Sequence, residues 1–257
     1  MKNFDYNRFL QTLKWNIITE KKTLFTHSLA FVAAFLLIQL FYICVVNMFQ
    51  EPSRSGMVSV IAFTDSVVLF LTAYYASGIL GNARTKEQRT TMLMLPACNA
   101  EKYWARLAYV LVIIPLLIVA ALIVANILRM GIQLILGHDH IIFGLGVMID
   151  LHGFEVLEII LSHLFMMSLF VLGGVLFRKH PFIWTWVSIM AFSLLVVLGG
   201  GLLFKLLNPT MHHIHITVDT ANTIVYLFFA ALTVFNFWLS YRLFCRLQLV
   251  QHKWFNI

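Results

Sequence analysis

The sequence of 257 residues is 61% hydrophobic and 11% charged, with a mean hydropathy of +0.87 and a formal net charge of +7. Soluble domains carry about 25% charged residues, so this composition indicates an integral membrane protein and leaves no room for an additional soluble enzyme domain. Basic residues in such a protein set its orientation in the bilayer, and we therefore expect no nucleic-acid partner. We interpret residues 1–257 as a single membrane domain of several spanning helices.

The N-terminal segment is polar overall, yet its apolar residues recur at helical spacing. This pattern predicts an amphipathic helix over residues 1–22 that lies in the membrane interface before the chain turns into the bilayer. A frayed cytoplasmic tail is the alternative. Six later runs are long enough to cross about 30 Å of hydrocarbon. The predicted fold is thus all-α, with spans at residues 24–48, 57–80, 107–127, 156–177, 182–203 and 223–244.

The basic residues are distributed unevenly between the connections. Of the 18 Lys and Arg residues, 15 fall in the N-terminal segment, the second-to-third connection, the fourth-to-fifth connection and the C-terminal tail. The remaining three are Arg54, Arg129 and Lys205. The positive-inside rule therefore predicts that both termini are cytoplasmic. It predicts the same side for residues 82–106, which form the longest charged interruption of the chain.

Two loops on the outer side are longer than a turn. Residues 130–155 are rather apolar, but each half is too short to cross, which favours a re-entrant or interfacial hairpin.

Imidazole is a common metal ligand, so the histidines in the outer loops are candidates for a metal site, with solvent-exposed side chains as the alternative. No cysteine accompanies them, and we assign no metal. These histidines are His138, His140, His212, His213 and His215.

Within the spans, one acidic residue and a few helix-breaking residues are notable. Asp65 lies in the second span, where a carboxylate is costly unless it faces the bundle interior, a cavity or a partner chain. It is our candidate for the translocation path, and a hydrogen-bonded packing residue is the alternative. Pro115 and the glycines at positions 173, 174 and 199–201 predict kinks or close approach of helices.

Residues 82–106 combine charge with an apolar centre. Pro96 divides the segment into two pieces, and Asn99 is placed to cap the second piece, with Glu101 in its first turn. Met92 to Leu95 form an apolar patch on a basic loop, which indicates docking to a partner. The predicted docking residues are Arg84, Lys86, Glu87, Arg89, Met92, Leu93, Leu95, Pro96, Asn99, Glu101 and Lys102.

Residues 89–103, RTTMLMLPACNAEKY, resemble a connection in the permease subunits of ABC-2 type ATP-binding-cassette exporters. In many bacterial members it reads Leu-Pro-Ala-Ser-x-x-Glu-Lys-aromatic and lies between the second and third of six spans. Cys98 stands where Ser is usual, which moves the cap to Asn99. The resemblance implies a coupling helix seated in a groove of a nucleotide-binding subunit. It also implies that residues 1–22 form a connecting helix and that residues 130–155 cap the exit.

The sequence contains no GxxxxGK[ST] motif, so ATP and Mg²⁺ would bind a separate ATPase subunit and this chain would need no cofactor. The resemblance implies an assembly of two permeases, either two copies or a copy and a paralogue, with two ATPases. The permeases would lie in the cytoplasmic membrane of a bacterium.

The favoured function is thus a transport subunit, not an enzyme, that exports an apolar or amphipathic compound. The alternatives are a membrane scaffold or sensor that anchors an ATPase complex, with the outer histidines as a metal-responsive input, and an intramembrane enzyme. An enzyme would lack its catalytic motifs, since neither HExxH nor GxSxG is present.

Overall fold

The structure of the chain is a computed structural model that describes residues 4–49, 54–81, 86–135, 156–207 and 218–246. Within these ranges the regular elements are helices, and no β-strand is present. In chain order they are α1 (Tyr6–Phe49), α2 (Arg54–Ser77), α3 (Lys86–Met94), α4 (Asn99–Ala108), a π-helical turn (Tyr109–Ile113), α5 (Ile114–Ile135), α6 (Val156–Leu176), α7 (Pro181–Leu207) and α8 (Val218–Cys245).

Long apolar helices confirm the predicted all-α membrane architecture. In the part of the chain that the structure describes, five helices are long and apolar enough to cross a membrane: Tyr6–Phe41, Asn99–Ile132, Ile159–Leu176, Pro181–Gly199 and Val225–Cys245. They are the helices of a multi-pass membrane protein. The 24-residue helix α2 lies over the second predicted span but is not among these five. The count of six spans and the side on which the termini lie stay predictions.

Helix α1 differs from the sequence-based expectation. We expected an interfacial helix over residues 1–22, a turn, and a separate span over residues 24–48. Instead α1 is one helix of 44 residues. Its sequence has neither glycine nor proline, the residues that most often break or kink a helix, so the change from polar to apolar composition brings no change in the backbone. At about 1.5 Å per residue its length far exceeds the hydrocarbon core.

The third predicted span also belongs to a longer helix. Helices α4 and α5 are joined by the π-helical turn, in which the Ile114 amide donates to the carbonyl of Tyr109, five residues earlier. Pro115 follows directly; it has no N–H and its ring clashes with the carbonyl four residues before it, which explains the irregular turn. Helix α5 continues to Ile135, so Arg129, expected just beyond a span that ends at residue 127, is a buried helical residue instead.

The chain forms two compact units. Unit 1 comprises Met1–Tyr75 and Pro96–Leu157, and within it α1 packs along α4, the π-helical turn and α5. The buried side chains on the apolar part of these helices include Phe31 and Phe35 on α1 and Ile118 on α5.

Unit 2 comprises Ala76–Leu95 and Glu158–Ile257. A Cβ atom on Gly173 of α6 would lie 1.8 Å from Thr185 Oγ1 of α7, and one on Gly174 would lie 2.4 Å from the carbonyl oxygen of Ser77. The predicted close approach at these two glycines is therefore confirmed. At Gly199 a Cβ would meet no atom of the described residues within 4 Å, so no close approach is formed there among them.

Candidate functional site

The predicted docking segment consists of two helices separated at a proline. Helix α3 ends at Met94, and α4 begins at Asn99, with Pro96 between them. Proline lacks the amide hydrogen that a helix needs and disfavours helical backbone in the residue before it, which accounts for the break. The prediction that Pro96 divides the segment is confirmed. Helix α3 belongs to unit 2 and α4 to unit 1.

The start of α4 is closed by a reciprocal pair of hydrogen bonds. The thiol of Cys98 accepts a hydrogen bond from the Glu101 amide at 3.5 Å, and the Glu101 carboxylate accepts one from the Cys98 amide at 2.8 Å. This is a capping box with a sulfur atom in the place of the usual hydroxyl oxygen. The expectation that Asn99 caps the helix is therefore wrong, because Asn99 is already its first helical residue.

Glu101 also joins α4 to the beginning of α1. Its Oε1 accepts a hydrogen bond from the Asp5 amide at 2.8 Å and lies 3.5 Å from Nη2 of Arg8. The side chain is 0% exposed. Burial by itself raises the pKa of this carboxyl, but the amides of Asp5 and Cys98 and the guanidinium of Arg8 favour the charged form more strongly. The pKa of Glu101, which precedes the predicted span, therefore lies below its usual value.

A second polar contact joins the same two helices further along. Nη1 of Arg106 lies 3.0 Å from Oε1 of Glu20, with the side chains 5% and 23% exposed, and the hydroxyl of Tyr109 donates to Oε2 of Glu20. Glu20 therefore receives two donors, one from the last turn of α4 and one from the first residue of the π-helical turn. In a largely buried ion pair of this kind, removal of one partner is strongly destabilising, because the other charge is left uncompensated.

Sequence reasoning missed Glu20, since its partners lie 86 and 89 residues away along the chain. One signal could have revealed it: Thr12, Asn16 and Glu20 recur every four residues and so lie on one face of α1. Thr12 and Asn16 are buried, so this polar stripe faces the protein and not water.

The structure divides the predicted docking residues into exposed and buried groups. Met94 is 78% exposed, Glu87, Pro96 and Asn99 are also exposed, and Leu95 is half-buried. Three residues expected at the docking surface are instead turned inward: Met92 is 7% exposed, Lys102 is 5% exposed, and Glu101 holds the contacts described above. Burial lowers the pKa of the Lys102 ammonium group. Arg84 and the side chains of Lys86, Arg89 and Leu93 lie outside the described residues.

The other sequence-based candidates lie elsewhere. Asp65 is a half-buried residue of α2 that directly follows the buried Thr64. The predicted metal-site candidates His138, His140, His212, His213 and His215 fall outside the described residues. Among the residues that are described, no group of three or more His, Cys, Asp or Glu side chains could hold a metal ion.

No protein-family model, no curated protein and no solved structure matches the chain. A functional assignment therefore depends on the residues and contacts described above.

Proposed function

We propose that the chain is the membrane permease subunit of an ABC-2 type ATP-binding-cassette exporter, with six spans and cytoplasmic termini. One observation carries the proposal. In the connection between α2 and α5, the helices α3 and α4 are separated by Pro96, and the second helix is fixed by the Cys98–Glu101 capping box. The resemblance of residues 89–103 to the coupling segment of such permeases is the other support.

In this proposal the segment seats a separate ATPase subunit. Among the described side chains of α3 and the residue after it, Glu87 and Met94 are exposed and Leu95 is half-buried, and these would make the contact. An exposed methionine is a common element of protein interfaces, because it is apolar and adapts its shape to the partner. Bound ATP and Mg²⁺ on the partner would supply the energy, and the task of this chain is to receive the resulting movement and pass it to its spans.

The remaining parts of the proposal concern the membrane. Helix α2 serves as the second of the six spans, in addition to the five long apolar helices. Asp65 lies on the translocation path, where its half-buried carboxylate would contact cargo. A second permease, identical or paralogous, completes the path. The cargo is an apolar or amphipathic compound, since the spans offer few charged groups.

The test is to purify the tagged chain from its native membrane and to measure ATP hydrolysis in the purified sample. Met94→Asp and Met94→Leu form a matched pair. Because Met94 is 78% exposed, both variants should unfold within a few degrees of the wild type. Met94→Asp places a charge in the proposed apolar contact and should lower the captured ATPase activity about tenfold, equivalent to about 1.4 kcal/mol of binding free energy. Met94→Leu keeps the contact apolar and should retain the activity.

Two results would count against the proposal. A wild-type chain that captures no ATP-hydrolysing subunit would contradict the transport function itself. Equal capture of the ATP-hydrolysing subunit by the Met94→Asp variant and by the wild type would show that the partner docks at another surface.

A further inference from the structure

Basic residues from two parts of unit 2 lie at the same end of it. Helices α6 and α8 run in the same direction, because Phe165 and Ser168 of α6 contact Phe229 and Asn236 of α8 in that order. At about 1.5 Å per residue, the last residues of α6 and α8 lie about 12 and 14 Å beyond the contact of Ser168 with Asn236. The basic residues at this end, which we call the basic end of unit 2, are Arg178, Lys179, Arg242 and Arg246.

The sequence around the basic end carries no negative charge. Residues 159–207 and 220–257 contain neither Asp nor Glu. The side chains of Lys179, Arg242 and Arg246 are exposed, and so is that of His180. The turn before α7 and the last turn of α8 therefore present a positively charged surface.

Two tryptophans indicate the depth of this end in the membrane. Trp184, in the first turn of α7, and Trp238, two turns before the end of α8, are 39% and 51% exposed. Exposed tryptophans near the ends of spanning helices lie at the boundary between hydrocarbon and headgroups. The guanidinium of Arg242 lies over the Trp238 ring, with Cζ 5.0 Å from its centroid. Lys179 and Arg246 lie beyond the tryptophans, at the depth of the lipid phosphates.

The turn between α6 and α7 holds its basic side chains on a fixed backbone. Residues 177–180 form the whole connection. His180 has a left-handed backbone conformation, with φ of 48°, which is uncommon for a residue with a side chain and persists where the surrounding structure fixes it. Its carbonyl accepts a hydrogen bond from the Trp184 amide at 3.2 Å, and Gly173 brings α6 so close to α7 that a Cβ would clash. Lys179 is thus presented with little backbone freedom to lose on binding.

We propose that the basic end of unit 2 binds the headgroups of anionic phospholipids. Lys and Arg side chains at a membrane surface attract anionic headgroups, whereas a zwitterionic headgroup adds a cation that they repel. A lipid fits better than a free phosphate ion, because exposed apolar side chains such as Ile183 and Phe235 continue from the basic end along α7 and α8 and offer a surface to acyl chains. The site requires no ATPase subunit, so it is independent of the proposed function.

A fluorescent label on Cys245 can report which lipid lies at the basic end. Cys245 is exposed and lies between Arg242 and Arg246, and Cys44 and Cys98 are replaced by serine. The full chain is placed in phosphatidylcholine vesicles that contain a small fraction of either phosphatidylglycerol or phosphatidylcholine with a nitroxide quencher on its acyl chain. From the quenching, we expect phosphatidylglycerol to associate about tenfold more strongly than phosphatidylcholine.

Two matched double variants separate the local charge from the net charge of the chain. Lys179→Gln with Arg246→Gln should bring the ratio of the two association constants close to one, since each basic residue near the surface strengthens binding about fivefold. Lys14→Gln with Lys21→Gln removes two exposed charges from α1 in unit 1 and should retain the wild-type ratio. An equal fall of the ratio in both double variants would overturn the site, because net charge would then explain the preference.

Inorganic phosphate distinguishes a lipid headgroup from a free anion. Compared with sodium chloride at the same ionic strength, phosphate should leave the quenching by phosphatidylglycerol unchanged. Displacement of the lipid by phosphate alone would overturn the proposal and assign the basic end to a free anion. A ratio close to one in the wild type would also overturn it and leave the basic end to a protein partner.

Discussion

The α1–α4 contact of unit 1 and the α6–α7 and α6–α8 contacts of unit 2 differ in their chemistry. In unit 1, α1 and α4 meet through carboxylates that bind guanidinium groups, a hydroxyl and backbone amides, as at Glu101 and Glu20. In unit 2, α6 approaches α7 through Gly173, which faces Thr185, and meets α8 through a hydrogen bond from Asn236 to the Ser168 hydroxyl at 3.1 Å.

The difference follows from what surrounds each contact. Between apolar helices in lipid there is little hydrophobic gain from association, so close packing at glycine and an occasional hydroxyl or amide contact carry the interaction. The α1–α4 contact involves segments too polar for hydrocarbon, and its ion pairs are largely buried, so the loss of one partner would leave an uncompensated charge. The contact in unit 2 thus depends on shape, and the contact between α1 and α4 in unit 1 depends on charge.

The largest effect should come from filling the glycine contact. Gly174→Ala places a Cβ atom 2.4 Å from the Ser77 carbonyl oxygen, which belongs to the backbone and cannot turn aside. We expect a loss of about 3 kcal/mol in the free energy of unfolding, measured by thermal or denaturant unfolding in detergent. Gly199→Ala is the matched control, since its Cβ meets nothing within 4 Å and the substitution favours the helix. Equal stability of the two variants would contradict packing by shape.

The next largest effect concerns the ionic contact of unit 1. Glu101→Ala removes the acceptor for the Asp5 and Cys98 amides and the partner of Arg8. We expect a loss of about 2.5 kcal/mol, from about 1 kcal/mol for the lost helix cap and about 1.5 kcal/mol for a lost charged hydrogen bond. Glu87→Ala changes an exposed carboxylate in the first turn of α3 and should alter stability by no more than about 0.5 kcal/mol. A loss as large in Glu87→Ala would mean that net charge, and not the contact at Glu101, is responsible.

The pH dependence of unfolding should show the contribution of the Glu101 carboxylate to unit 1. The pKa of Glu101 in the folded chain lies below 4.5, its usual value. Its contribution to stability is therefore fully present above about pH 4.5 and is lost as the pH falls through the lower pKa of the folded state. The unfolding temperature should fall more steeply with acidification in the wild type than in Glu101→Gln. Parallel curves for the two proteins between pH 6 and pH 3 would contradict this role of Glu101.

The smallest effect should come from the hydrogen bond between α6 and α8. Ser168→Ala removes the acceptor for Asn236, and interhelical hydrogen bonds in membrane proteins contribute about 0.6 kcal/mol on average. Ser188→Ala removes an exposed hydroxyl that bonds only the carbonyl of Trp184 in its own helix, and it should be neutral. A loss above about 2 kcal/mol in Ser168→Ala would indicate that polar contacts, rather than glycine packing, hold unit 2.

Local features of the fold could be predicted from the sequence. Apolar runs located the long helices, and Pro96 located the break in the docking segment, because hydropathy and the missing proline amide act over a few residues. The continuity of α1 was missed because a change in composition near residue 22 was interpreted as a boundary. A backbone break needs a residue that disfavours the helix, and α1 has neither glycine nor proline.

Features of the site that depend on tertiary contacts could not be predicted. Asn99 is a better cap than Cys98 by intrinsic preference, yet the chain places Cys98 one residue before the helix, where its thiol reaches the Glu101 amide. Glu20 pairs with residues more than 80 positions away, so no local pattern contains it. The burial of Met92 beside the exposed Met94 likewise depends on how α3 packs in its unit.

The central claim is that the segment around Met94 seats an ATPase subunit, and a photoreactive amino acid at that position tests it most directly. After illumination of native membranes, we expect position 94 to crosslink to a polypeptide that hydrolyses ATP and contains a GxxxxGK[ST] motif. The same amino acid at Val234, an exposed residue well inside the apolar helix α8, should give no such product. Crosslinks to that polypeptide from both positions, or from neither, would contradict the account.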